Sequence, residues 1–145
     1  MPILRTLFPA AAACLLGLSA CNSAAGDSVR EGEIFTAVAP DEVITLTGTE
    51  PFWGITIEGG RAKYANPQHP EGWEFAVARF AGNNGLGFSG TMDAMAVTIT
   101  LTPGQCSDAM SDRTYPYVAT IALGEETLRG CGYTSSQPFT GEAAP

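Results

Sequence analysis

Few side chains in this chain stand where their types could do chemistry. Glu50 and Asp112 are candidates for a carboxylate pair. Acid–base work needs two such groups in environments that push their pKa values apart. No spacing rule brings these two together, and Asp112 is followed by Arg113. A carboxylate beside an arginine is more often half of a structural ion pair. His69, the only histidine, lies in a polar stretch with Pro67 and Pro70 and reads as a solvated loop residue. Ser111 and Ser135 lack the Gly-x-Ser-x-Gly context of an activated nucleophile. Cys106 and Cys131, with no CxxC spacing and one distant histidine, do not make a zinc set. No glycine fingerprint for a nucleotide stands out. The expectation is a protein that is not an enzyme and holds no metal or cofactor.

The strongest chemical signal is instead a modification. Arg5 precedes an apolar run from Leu7 to Leu18, which ends in Leu18-Ser19-Ala20-Cys21. The run is shorter than the roughly 20 residues a membrane-spanning helix needs, and it is interrupted by Pro9 and Gly17. A short positive region, an apolar core and a small-residue cleavage site make a secretory leader. The final tetrapeptide resembles the lipobox of bacterial lipoproteins. That resemblance implies removal of residues 1–20 and lipidation of the Cys21 thiol. It also implies a diacylglyceryl thioether plus an N-acyl chain. One chain anchors only marginally, at about 0.8 kcal/mol per buried methylene, so several make the attachment durable. Asn22, rather than Asp, follows the cysteine and favours the outer membrane, facing the periplasm.

Loss of the leader removes Arg5 and no acidic residue, taking the net charge from −8 to −9. Such a surface argues against nucleic acid and anionic lipid and permits a basic protein partner. The cysteines fit an oxidising compartment. Cys14 leaves with the leader and Cys21 carries lipid, so Cys106 and Cys131 remain as an even pair and are expected to form a disulfide.

The elements that must position these residues are strands. Residues 21–40 are rich in Ser, Ala, Gly and acids and read as a flexible tether; nineteen such residues span about 24 Å. Within it, Ile34, Phe35 and Val38 could pack as a short first element. Residues 41–134 alternate with period two. Ile44 and Leu46 alternate with threonines; Trp53, Ile55 and Ile57 share a face; so do Val97, Ile99 and Leu101, and Tyr117, Ala119, Ile121 and Leu123. Gly59-Gly60, Asn83-Asn84-Gly85, Pro103-Gly104 and Gly124-Glu125-Glu126 mark turns, and longer loops are expected at 66–72 and 105–116. The expectation is an all-β, single antiparallel domain of about eight short strands, barrel-like or a sandwich, with one disulfide. Residues 135–145 read as a frayed tail.

Two segments are dense in distinctive residues. In Gly48-Thr49-Glu50-Pro51-Phe52-Trp53, a turn delivers two aromatics to opposite faces of a strand, so one enters the core. In Cys106 to Pro116, the loop leads through Asp112-Arg113-Thr114-Tyr115 into the next strand. These segments, with Leu128-Arg129-Gly130-Cys131, resemble a family of small, largely uncharacterised bacterial lipoproteins. The resemblance supports the lipid, the fold and the disulfide, and implies no agreed activity. Gly60-Arg61-Ala62-Lys63-Tyr64 is a weaker echo of membrane-bound inhibitors of c-type lysozyme, small lipoprotein β-barrels with a disulfide. It implies that Lys63 and Tyr64 would contact lysozyme.

The functional expectation is a non-catalytic envelope lipoprotein whose tethered β domain binds a partner or ligand. Its candidate surface is Glu50, Trp53, Asp112, Arg113 and Tyr115, provided the Cys106 loop folds over the Pro51 turn. A periplasmic lysozyme inhibitor is the alternative. A ligand carried in the barrel lumen is a third.

Overall fold

The computed structural model describes residues 34–142. They form eight strands: β1 (Ile44–Thr49), β2 (Phe52–Glu58), β3 (Arg61–Asn66), β4 (His69–Ala81), β5 (Leu86–Met92), β6 (Met95–Ser107), β7 (Thr114–Leu123) and β8 (Glu126–Thr134). Each strand pairs antiparallel with its chain neighbour, and β8 closes on β1, giving a closed up-and-down barrel. The closing register runs from Ile44↔Thr134 to Thr47↔Cys131. Closure leaves no unpaired sheet edge, which protects a small all-β domain from edge-to-edge association.

The alternation in the sequence decides which side of the wall each residue takes. Leu46, Ile55, Val97, Ile99, Leu101 and Ile121 point inward and are essentially fully buried. Ile99, Leu101, Ala119 and Ile121 have no accessible surface at all, so the lumen there is filled by side chains rather than open to a ligand. Thr56, Glu58, Lys63, Glu74, Thr98, Thr100 and Arg129 face outward and are exposed. This is the reverse of a lipid-spanning barrel, whose outward band is apolar. Among the described residues, no helix is long and apolar enough to cross a membrane.

Turn chemistry explains most connections. Gly59 and Gly60 take φ of 54° and 77°, the left-handed backbone a tight two-residue hairpin demands. Asp93 and Ala94 adopt the same region, at 47° and 65°, without glycine, and join β5 to β6 where composition marks no turn. The expected loop at 105–116 is shortened to the residues between Ser107 and Thr114, and two other expected breaks lie within or between strands. Residues 66–72 are not a loop: Asn66 Oδ1 accepts hydrogen bonds from the backbone N–H of Gln68 (3.1 Å) and His69 (2.8 Å), and β4 begins at His69. Pro103-Gly104 is not a turn but an irregularity within β6, between the pairs Pro103↔Tyr117 and Cys106↔Tyr115. Two residues of β6 there, Gly104 and Gln105, stand against one of β7, Pro116, and the pairing then resumes.

Up-and-down topology puts the β1–β2, β3–β4, β5–β6 and β7–β8 turns at one end, here the mouth. The chain enters at the opposite end. Of the segment read as tether, residues 34–40 are seated on the barrel. Val38 is 1% exposed, Arg79 donates to its carbonyl (2.7 Å), and Phe35 N–H donates to the Gly82 carbonyl (2.7 Å). The tail read as frayed is also held as far as it is described. Ser135 N–H bonds the Val43 carbonyl, Thr140 bridges Thr114, and Gln137 donates to the Ala37 carbonyl (2.8 Å). The first segment packs Phe35 and Val38 onto the core, and the tail, polar on average, supplies Phe139. Residues 1–33 and 143–145, including the leader and the proposed lipidation site Cys21, lie outside the described residues.

Candidate functional site

The disulfide forms as expected between Cys106 and Cys131, with Cα atoms 5.5 Å apart. Cys131 lies on β8, next to β1, and is 1% exposed under the covering loop. Tied at this point, the segment from Cys106 to Arg113 folds over the outer wall. Thr49 Oγ1 donates to the Asp108 carbonyl (3.1 Å), so the loop reaches the Pro51 turn.

Asp108 organises the loop. Its carboxylate accepts from the N–H of Met110 (3.0 Å) and Ser111 (2.9 Å), the Ser111 hydroxyl (2.8 Å) and the Tyr115 hydroxyl (3.1 Å). The Met110 N–H, foremost among these donors and against the cost of desolvation, lowers its pKa from 3.8 to about 2. Burial raises the pKa of the Tyr115 phenol. Sequence reasoning singled out Asp112 and passed over Asp108. Both are aspartates in one polar loop, and only the hydrogen bond to a residue two or three positions on distinguishes them.

The five candidate residues do not form one surface. Glu50 is exposed beside the loop. Trp53 is 4% exposed and turned into the barrel, where its indole lies against Gly48 and Gly130; a side chain at either glycine would collide with it. Phe52, its neighbour on the other face, is 53% exposed, as the alternation requires. Arg113 and Tyr115 face the C-terminal segment instead, and Asp112 is exposed. The Arg113 guanidinium sits 4.4 Å from the centre of the Phe139 ring, and Tyr115 and Tyr133 pack on the same ring at 5.5 and 5.1 Å. The expected Asp112–Arg113 ion pair is not made, because Arg113 is engaged by Phe139. The only ion pair among the described residues is Arg61–Glu74, at 3.4 Å on the exposed wall.

What the loop and the turn enclose is a groove of about 460 Å³, open to solvent, lined by Glu50, Asp108, Met110, Val118, Arg129 and the disulfide. Met110 and Val118 are 59% and 40% exposed and both line this one groove. Glu50 and Arg129 are exposed. The groove therefore combines an apolar strip with one carboxylate and one guanidinium. Arg129, Met110 and Val118 were missed as site residues; nothing in their local sequence shows that the loop leans over them.

Lys63 and Tyr64 diverge. Lys63 is mid-strand on the outer wall between Thr56 and Glu74, whereas Tyr64 is 6% exposed and points into the barrel. His69 is half-buried at the start of β4 rather than in a solvated loop. Its ring stacks on Trp73 at 3.9 Å, and Trp73 stacks on Tyr64 at 5.9 Å. Among the described residues, no group of three or more His, Cys, Asp or Glu side chains is gathered to hold a metal ion. Compared with protein-family models, curated proteins and solved structures, the chain matches none.

Proposed function

We propose that this chain is a non-catalytic lipoprotein of the bacterial cell envelope, anchored through Cys21, whose barrel holds a partner in the groove beside the disulfide loop. The single observation that carries the reading is the groove itself. A covalent staple holds a loop off the wall and leaves Met110 and Val118 exposed between Glu50 and Arg129. It is their contiguity in one concave strip rimmed by charges, rather than the exposure of either residue alone, that supports a docking surface. A filled lumen turns attention to the outer wall. The leader and lipid come from the sequence alone, and they set where the partner would be met. The outer membrane, facing the periplasm, is the expected place.

Replacing Glu50 and Arg129 together by alanine tests the reading. Both are exposed, so the variant should melt within a few degrees of the unaltered protein while its capture of a partner from intact cells falls several-fold. Unchanged capture would refute the groove as the contact surface. Purified protein that slows c-type lysozyme at near-stoichiometric dose would favour the inhibitor reading instead.

A further inference from the structure

The barrel mouth holds a second cavity, separate from the groove. On β3 and β4, Tyr64 and Trp73 are opposite each other in register and stack, with His69 behind Trp73. The β5–β6 hairpin brings Met92, Asp93 and Met95 to the same end, and the β7–β8 turn brings Leu123 and Glu126. Together they enclose about 310 Å³. Met92 and Leu123 are buried at 4% and 6%, Trp73 is half-buried, and Met95 is 36% exposed. The wall is therefore apolar and partly wet. Asp93 and Glu126 are exposed at its rim, and neither carboxylate has a cationic partner among the described residues.

An apolar, aromatic wall with unpaired carboxylates at its edge complements one kind of ligand. It fits an organic cation carrying an apolar body: the body displaces water from Trp73, Met92 and Leu123, and the charged head reaches the rim. An anion would meet repulsion there. A bare metal ion would lack ligands, since among the described residues no third carboxylate, cysteine or histidine joins the pair. We propose that the mouth binds an alkyl- or arylammonium group, with Asp93 and Glu126 as its counter-charges. The ammonium could belong to a free amine or to a lysine side chain of a basic polypeptide; the chemistry recognised is the same.

The test is a titration of the purified, isotope-labelled protein followed by NMR, with phenethylamine, its neutral analogue phenethyl alcohol, and an acetyl-lysine-amide carrying a free side-chain amine. Phenethylamine should give saturable shifts at the Trp73 indole N–H and the amides of Asp93 and Glu126. The alcohol should bind at least about fivefold more weakly, as should phenethylamine to the D93N/E126Q double variant. Both carboxylates are exposed, so an unchanged spectrum elsewhere confirms that the variant is folded. Tighter binding of the lysine amide would point to a polypeptide source, and tighter binding of phenethylamine to a small amine. Equal binding of amine and alcohol would overturn the proposal. So would shifts that survive in the double variant, or no saturable shift up to about 10 mM ligand.

Discussion

At the scale of single residues, two aspartates in one loop have opposite duties. Asp108 accepts four hydrogen bonds, whereas Asp112 is exposed. Asp108 is an acid with a lowered pKa, so the stability it adds is present above its ordinary value of 3.8 and is lost as pH falls toward about 2. Glu42 behaves in the same way: the Ser136 hydroxyl foremost, with Thr134 and the Ala39 N–H, lowers it from 4.5 to about 2. Asp108→Asn should therefore lower the melting temperature at neutral pH, and its deficit should shrink between about pH 4 and pH 2. Asp112→Asn should change stability by no more than about 0.5 kcal/mol. Thermal melts of both variants across that range check the pair. Equal effects would mean that the loop is not built on Asp108. The sequence could not separate the two, because each is a polar residue among turn formers and only the folded loop aims the N–H groups of Met110 and Ser111 at one of them.

At the scale of elements, strand identity was legible because a closed barrel with a filled lumen imposes strict alternation. Trp53, Ile55 and Ile57 against Thr56 and Glu58 could be read directly, and so could the Gly59-Gly60 turn. The Asp93-Ala94 turn was not, since neither residue announces a left-handed backbone. Phe35 and Val38 could be read as a packed first element, whereas the seating of Phe139 was not legible: one apolar side chain in a small, polar segment carries no periodicity. Glycines within strands also have a reason visible only in three dimensions. Gly130 lies under the Trp53 indole and against the Thr47 backbone. Gly130→Ala should cost about 1–3 kcal/mol, read from chemical denaturation, because the added methyl collides first with the Thr47 carbonyl and then with the indole. No measurable loss would mean that β1 and the indole are not packed tightly against Gly130. The disulfide is a second element-scale device. It closes a loop of 25 residues, and replacing both cysteines by serine should cost about 3.5 kcal/mol on the chain-entropy account. A variant of unchanged stability would contradict that estimate and leave the staple with only the loop to position.

At the scale of the whole molecule, topology sorts the surface into three regions. The end where the chain enters is closed by residues 34–42 and 135–142, which bind one another through Gln137 and the Ser136–Glu42 hydrogen bond (2.6 Å). The mouth, at the opposite end, carries the aromatic stack and the Asp93 and Glu126 rim. The flank carries the stapled loop and its groove. With a lipid on Cys21, the chain would rise from the membrane into the closed end, leaving the flank and mouth free. The most direct test places a photo-crosslinking amino acid at Met110 in the groove and, in a second protein, at Thr98 on the exposed wall of β6, each expressed as the full chain in intact cells. A discrete adduct from Met110, absent from Thr98 and lost in the Glu50→Ala/Arg129→Ala background, is the predicted result. No adduct from Met110, or the same adducts from both positions, would contradict the claim that this groove is where the protein meets its partner.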